Sequence, residues 1–259
     1  MIALPEEDYS EQPIVSPRQA ITATVKSGGL KAGDSNVPKH ILLSLTVGAT
    51  ATIVRQLNAK EVPWIYRARP FYVGHAHGIP VGCIWAAPGA PLTTMVMEDL
   101  IASGAKVFVG VGLMAAIQPR IKAGDLIIPS VAVRDEGTSH HYLPKNVEAL
   151  PNKDVFAGLT NWCKRLRIGH RAGPIWTTDA PYRETPSKVK YFHAKGILGV
   201  DLETSVIFSV AIYRRVRAGC ILVASSNLAY SKPAIGFYSS SLKGSVGKVL
   251  EFPLKPSPN

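Results

Sequence analysis

The 259-residue chain reads as α/β: one domain with a mixed central β-sheet flanked by helices on both faces. Three observations predict this. Short β-rich runs alternate with amphipathic helical stretches, the pattern of strands joined by helical crossovers. Several runs are apolar throughout, as strands covered on both faces are. The 46% of hydrophobic residues in a chain of this length suffices for one large core. No internal repeat and no linker splits the chain. Residues 1–20 are polar and interrupted by proline, so a flexible arm is expected there, with the domain over 21–259.

The elements follow in order. His40-Ile-Leu-Leu-Ser-Leu45 is a buried strand, and Thr50 to Leu57 a helix that closes near Asn58. Phe71-Tyr-Val and Val81-Gly-Cys-Ile-Trp85 are antiparallel partners around a turn at Gly78. Pro91 suits the first turn of a helix that runs through Met95, Met97 and Leu100 and stops at Ser103-Gly104. Lys106-Val-Phe-Val-Gly-Val111 and Asp125 to Val133 are the next strands. Asn152 to Leu166 is a helix, Pro174-Ile-Trp-Thr177 a strand, and Glu203 to Tyr213 a strongly apolar helix. Cys220 to Ala224 is a further strand, and Ser239 to Leu250 a closing helix.

Composition narrows the function classes. No run of 18 apolar residues occurs, so no transmembrane helix is expected. The start, Met1-Ile-Ala-Leu-Pro-Glu-Glu-Asp8, is acidic and unlike a secretory signal. Cys83, Cys163 and Cys220 lie far apart and fit neither metal spacing nor a disulfide framework. Buried thiols in a reducing cytoplasm are expected. Lys plus Arg outnumber Asp plus Glu by 29 to 18, for a net charge of +11. Cations cluster at Lys164, Arg165, Arg167 and Arg171, at Lys188, Lys190 and Lys195, and at Arg214, Arg215 and Arg217. Such a field attracts phosphates, nucleotides or nucleic acid. A solvated face of a basic protein is the plainer reading.

Several segments carry a resemblance. Arg134-Asp-Glu-Gly-Thr-Ser-His-His-Tyr142 follows Ile121-Lys-Ala-Gly-Asp-Leu-Ile-Ile128. Trp176-Thr-Thr-Asp-Ala-Pro-Tyr-Arg-Glu-Thr185, Val200-Asp-Leu-Glu-Thr-Ser205 and the helix from Pro91 to Leu100 come in matching order and spacing. Together they resemble the nucleoside phosphorylase family, closest to its uridine phosphorylase branch. The resemblance implies a mixed-sheet domain that assembles as dimers, usually three to a hexamer. It also implies a site where inorganic phosphate, as co-substrate, cleaves a nucleoside's glycosidic bond. No other cofactor and no metal are expected. That chemistry needs cations and N–H donors for a phosphate dianion, a carboxylate for the ribose hydroxyls, and polar groups for the departing base.

On the resemblance, Glu203 stands where the family has its ribose-binding glutamate, with Leu202 and Asp201 beside it in place of the more usual Met and Glu. For Asp201, capping of a helix N-terminus is an equal alternative. Tyr182 and Arg183 stand where the base-side loop runs, and Ser226 where the family often has a purine-assisting Asp. Packing in a loop remains an alternative for the first two. Arg67 aligns with an arginine that reaches a neighbouring subunit's phosphate site, or is an ordinary surface arginine. His140 and His141 adjoin the Glu-Gly-Thr-Ser turn, where tandem imidazoles could suggest a metal or a base; neighbouring residues point to different sides.

The phosphate side departs from the pattern. The family's Gly-Asp-Pro-x-Arg loop is Leu45-Thr-Val-Gly-Ala49 here. Its Arg-x-Gly-Thr is Gly110-Val-Gly-Leu113, and its Thr-Gly-x-Gly is Ala86-Ala-Pro-Gly89. Its subunit-bridging His falls near Ser27. Each lost charge-assisted contact is worth about 1.5–3 kcal/mol, so the expected deficit reaches roughly 5 kcal/mol even allowing for non-additivity. Three functions follow as expectations. The first is a phosphorolysis-deficient member that binds a nucleoside or nucleobase, alone as a homo-oligomer or beside a catalytic homologue. The second is an active pyrimidine nucleoside phosphorylase with a rearranged site. The third is a protein that binds nucleic acid or the ribosome through its basic surface.

Overall fold

The computed structural model describes residues 7–27, 31, 36–65, 69–86, 88–229 and 234–235. In chain order the elements are α1 (Pro17–Lys26), β1 (His40–Ser44), α2 (Val47–Gln56), β2 (Lys60–Val62), β3 (Phe71–Ala76) and β4 (Ile79–Trp85). Next come α3 (Ala90–Ala102), β5 (Val107–Ala116), β6 (Leu126–Asp135), α4 (Lys153–Arg165) and β7 (His170–Thr178). The last are α5 (Pro186–Ala194), β8 (Gly199–Asp201), α6 (Thr204–Tyr213), β9 (Arg217–Asn227) and β10 (Ala234–Ile235). Single 3-10 turns lie at Thr138–His141 and Pro181–Arg183.

The strands join in the order β10-β9-β6-β7-β8-β5-β1-β4-β3-β2, and β9 pairs with β5 as well. β4, β1, β5 and β9 run parallel. β8 bonds β7 in parallel and β5 in antiparallel, and β6 bonds β9 in antiparallel. The ring β5-β8-β7-β6-β9 therefore closes on itself, which leaves those strands no free edge. The mixed sheet matches the expectation from sequence. Alternating side chains feed two layers. Phe108 of β5 packs in the cluster that holds Met97 and Leu100 of α3 and Phe208 of α6. Val107, Val109 and Val111 pack in the other, with Ile53 of α2 and Leu159 and Trp162 of α4. Helices thus cover both faces. Residues 204–211 of α6 are all buried, which is why that helix is apolar on every side.

The local chemistry explains most boundaries. His77 and Gly78 have φ of 51° and 80°, the two left-handed residues of a tight hairpin between β3 and β4. Asn152 caps α4, its side chain accepting from the N–H groups of Asp154 and Val155. Cys83, Cys163 and Cys220 are free and buried. Burial raises their thiols, that of Cys83 to about 12 and that of Cys163 to about 11.

Several elements differ from expectation. α2 begins at Val47, three residues before Thr50, because the Thr46 hydroxyl already caps it by accepting from Ala49 N–H at 3.1 Å. β5 runs on to Ala116 because β8 and β9 continue the ladder there, with a bulge between Met114 and Ala115. α5 is a further helix with no fully buried residue; Val189 and Phe192 pack partly buried against the Trp176 cluster, too few to show as a stripe. α1 crosses the expected end of the arm at residue 20, since Ser16 and Gln19 form a reciprocal capping box that starts a helix at Pro17. The segment Ser239 to Leu250 lies outside the described residues.

Arg134 organises the loop after β6. Its Nε donates to Ser139 Oγ at 2.9 Å, Nη1 to the carbonyls of Pro144 and Val147, and Nη2 to those of Ser139 and Leu143. One fork of donors thus satisfies four carbonyls of a turn that has no regular partner strand. Replacing Arg134 with Ala should lower stability by about 3 kcal/mol in urea unfolding. Arg134→Lys should recover less than half of it, because an ammonium donates from a single point.

Candidate active site

Two helix starts converge at the site. β4 ends at Trp85 and α3 begins at Ala90, with Gly89 (φ 88°) in the N-cap position. β8 ends at Asp201 and α6 begins at Thr204, with Glu203 in the N-cap position. Gly89 N–H donates to Glu203 Oε1 at 2.7 Å, so the carboxylate closes the N-terminus of α3 while its own backbone opens α6.

Asp201 is bonded from both sides. Its Oδ1 accepts from the Thr177 hydroxyl at 2.7 Å, and its Oδ2 accepts from the Thr204 N–H and hydroxyl. Ser205 N–H donates to Thr177 Oγ1 at 3.1 Å, which ties the end of β7 to α6. The Asp201 side chain is therefore a helix cap and strand tie, the alternative open from sequence. Its neighbour Leu202 is half-buried between the two acids.

Both carboxylates are buried. Burial lifts Glu203 to about 8, the nearby charge of Asp201 adds to the rise, and the N–H groups of Gly89 and Leu202 oppose it. Burial raises Asp201 too, against the donors of Thr204, Thr177 and Glu203. A helix N-terminus favours a carboxylate by about 0.3–1 kcal/mol, at most ~2. Desolvation is the larger effect here, so at neutral pH Glu203 is mostly protonated. It then offers both an acceptor and an O–H donor, a match for vicinal sugar hydroxyls.

The places where anion ligands are expected from the resemblance are filled. Leu45 is buried, and its N–H is spent on the Val111 carbonyl at 2.9 Å. Its side chain lies over Gly112: a Cβ there would sit 2.8 Å from Leu45 Cβ. Ala49 is buried in α2. At Gly110 a Cβ would meet Cys220 Sγ at 2.7 Å and Ile207 Cδ1 at 3.1 Å, so no side chain fits that position. Leu113 packs on the α2 and α4 layer. Ser27 is exposed at the end of α1, its hydroxyl donating to Thr24 O at 3.0 Å.

The remaining described candidates lie on other elements. Tyr182 is fully exposed, Arg183 is exposed, and both lie on the 3-10 turn before α5. Ser226 is buried in β9, in register with Ile235 of β10. Arg67 lies outside the described residues. His140 faces back to Arg134, with Nδ1 at 3.3 Å from Nη2, and His141 contacts Glu7. Sequence reasoning missed Arg69, which stacks on Trp85 at 4.7 Å and donates to the Trp85 carbonyl at 3.2 Å. It also missed Glu136, buried at 4% exposure, which accepts from the Ser205 hydroxyl at 2.8 Å and Ser139 N–H at 2.9 Å. Its place in the Arg134 motif was the available signal.

A sequence profile described as the phosphorylase superfamily matches residues 39–235, well over half of the chain. The chain is 28% identical over 210 residues to a uridine phosphorylase of Treponema pallidum, covering 77% of this chain and 81% of that protein. It is 29% identical over 182 residues to a uridine phosphorylase of Thermococcus kodakarensis, 65% of each chain. It is 28% identical over 140 residues to a guanosine phosphorylase of Halorubrum lacusprofundi, 54% of this chain and 58% of that one.

Two outcomes are expected from the geometry. Below its ordinary value of 4.5, Glu203 holds its proton whether folded or unfolded; between 4.5 and about 8 only the folded chain holds it. Stability should therefore fall as pH rises through that window, by on the order of a few kcal/mol. Glu203→Gln should flatten the slope in urea titrations from pH 5 to 9 and leave the variant at least as stable as the parent at the alkaline end. Separately, Gly110→Ala should destabilise by about 1–3 kcal/mol through overpacking. In a Cys220→Ala background that penalty should shrink, read as coupling in a double-mutant cycle.

Proposed function

The chain belongs to the phosphorylase superfamily, among its nucleoside phosphorylases, and from that premise we propose that it binds a nucleoside without cleaving it by phosphorolysis. The observation that carries the reading is the packing of Leu45 over Gly112 with its N–H committed to Val111. A phosphate dianion would have to displace that apolar contact and would find neither a side-chain cation at 49 or 110 nor a hydroxyl at 113. A dianion in an apolar cavity is costly, and one missing transition-state donor alone lowers rates by about 10²–10³.

What remains suits binding. Glu203 is anchored by Gly89 and flanked by an Asp201 already satisfied by Thr177 and Thr204. A largely neutral Glu203 can hold ribose hydroxyls, yet contributes little negative charge to an oxocarbenium-like state. On this reading the protein acts as a nucleoside-binding homo-oligomer or as a partner subunit of a catalytic relative.

One observation favours the rearranged-site alternative. Arg69 places a cation against Trp85, at the strand end that leads to Gly89. An active enzyme of this kind would recruit Arg69 to the phosphate.

Calorimetry with uridine and with inosine, with and without phosphate, tests the proposal. Binding should be insensitive to phosphate and weaken about tenfold in Glu203→Ala, since losing a hydrogen bond to such a group removes on the order of 1.5 kcal/mol. Chromatography should show no phosphate-dependent release of base. Such release, abolished in Arg69→Ala, would establish the alternative instead.

A further inference from the structure

The sheet carries a second charged feature that the nucleoside site does not use. β1, β5 and β9 begin side by side: His40 is in register with Val107, and Val107 with Arg217. The backbone tightens the edge further. Lys106 N–H and Val107 N–H both donate to Lys39 O at 2.9 Å, and Arg217 N–H donates to Lys106 O at 3.0 Å. Lys39 and Lys106 each precede a paired residue, His40 and Val107, and so lie opposite one another, while Arg217, in register with Val107, stands one residue further along on the other face of the sheet. Lys39 and Lys106 are exposed and Arg217 is half-buried; Arg215, held at φ 53°, adds a third exposed cation just before β9.

No acid among the described residues forms an ion pair with these four; the neighbouring Arg214 is the one engaged, through Glu98 at 2.8 Å. Like charges on adjacent strands destabilise a sheet, so the arrangement costs stability in isolation and is relieved by an anion. His40 registers the same field: burial holds its imidazole below the ordinary value, and the charges of Arg217 and Lys39 depress it further.

The edge is remote from Glu203. Ligands of parallel strands meet the carboxyl ends, and β1 alone separates His40 from Leu45 by about 16 Å. The cations are spread over the ends of three neighbouring strands, so they fit successive charges on a chain better than one compact anion. Among the described residues the exposed aromatics, Tyr182 and Tyr191, lie on other elements, so base stacking is no part of the contact.

We propose that the cations Lys39, Lys106, Arg217 and Arg215, at the amino ends of β1, β5 and β9, bind the phosphodiester backbone of a nucleic acid without regard to sequence. The contact is electrostatic and independent of whether the chain binds or cleaves nucleosides.

Fluorescence anisotropy with a labelled single-stranded RNA of mixed sequence, about 12 nucleotides long, tests it on the whole chain. With three to four phosphates neutralised, log affinity should fall against log salt with a slope of about −2 to −3. Lys39→Gln with Lys106→Gln should weaken binding at low salt at least tenfold and reduce the slope by about 1.4. The urea midpoint of that double variant should equal or exceed the parent's, which separates lost binding from lost folding. Lys164→Gln with Arg165→Gln, on α4, should leave binding close to the parent's. Equal loss in both double variants would overturn the proposal, because attraction would then follow net charge alone. Absence of salt-dependent RNA binding would overturn it too, including the case where anionic phospholipid vesicles retain the protein and RNA does not.

Discussion

The contact between Gly89 N–H and the Glu203 carboxylate sets the geometry on which the site depends. It joins the start of α3 to the start of α6, and both helices pack in one layer with Met97, Leu100 and Phe208. An acid placed there cannot be wet, because the residues after it are buried without interruption through Ala211. The same position that makes it a good anchor therefore raises its affinity for a proton. Asp201, two residues earlier, carries the structural load through Thr177 and Thr204. The division of labour between the two acids follows from their donors. Asp201 has the hydroxyls of Thr177 and Thr204 and the N–H groups of Glu203 and Thr204, all intramolecular, while Glu203 has backbone N–H groups only and keeps capacity for a ligand.

The contacts around Leu45 form one connected packing arrangement. With Leu45 in place of a residue without a side chain, Gly112 must stay bare, since a Cβ would fall 2.8 Å from Leu45. The Leu45 N–H then extends the β1–β5 ladder to Val111, which shortens the turn and lets Thr46 start α2 at once. α2 consequently reaches the layer with Ala49 and Ile53 buried, and Ala49 has no route toward a ligand. On the other side of β5, Cys220 and Ile207 occupy the space above Gly110. Restoring one arginine would thus conflict with several neighbours at once.

The sequence disclosed the elements that bury apolar residues and concealed those that do not. β1, β5, β9 and α6 were legible because their side chains are buried almost throughout. α5 buries none fully, and β2 and β8 are three residues each, too short for a period to show. Of the candidate site, Glu203 was singled out by its motif and lies buried at the junction of α3 and α6. Tyr182 and Arg183 lie exposed on the turn before α5, and a loop's spacing does not reveal which way its side chains turn. Arg134 stood in the most specific motif, yet its role as a fork for four carbonyls depends on a loop path that only three-dimensional structure supplies.

Charge is partitioned as sharply as polarity. Glu98, Asp99, Glu136, Asp201 and Glu203 are all buried, while Lys39, Lys106 and Arg215 are exposed. A formal net charge of +11 counts every acid as ionised and outward. Glu98 is already matched by Arg214, and Asp201 and Glu203 hold protons more tightly than free carboxyls do. The face that solvent and partners meet is therefore more basic than the composition states. The sheet register lines part of that excess up at one end, where a potential adds across neighbouring strands instead of averaging out.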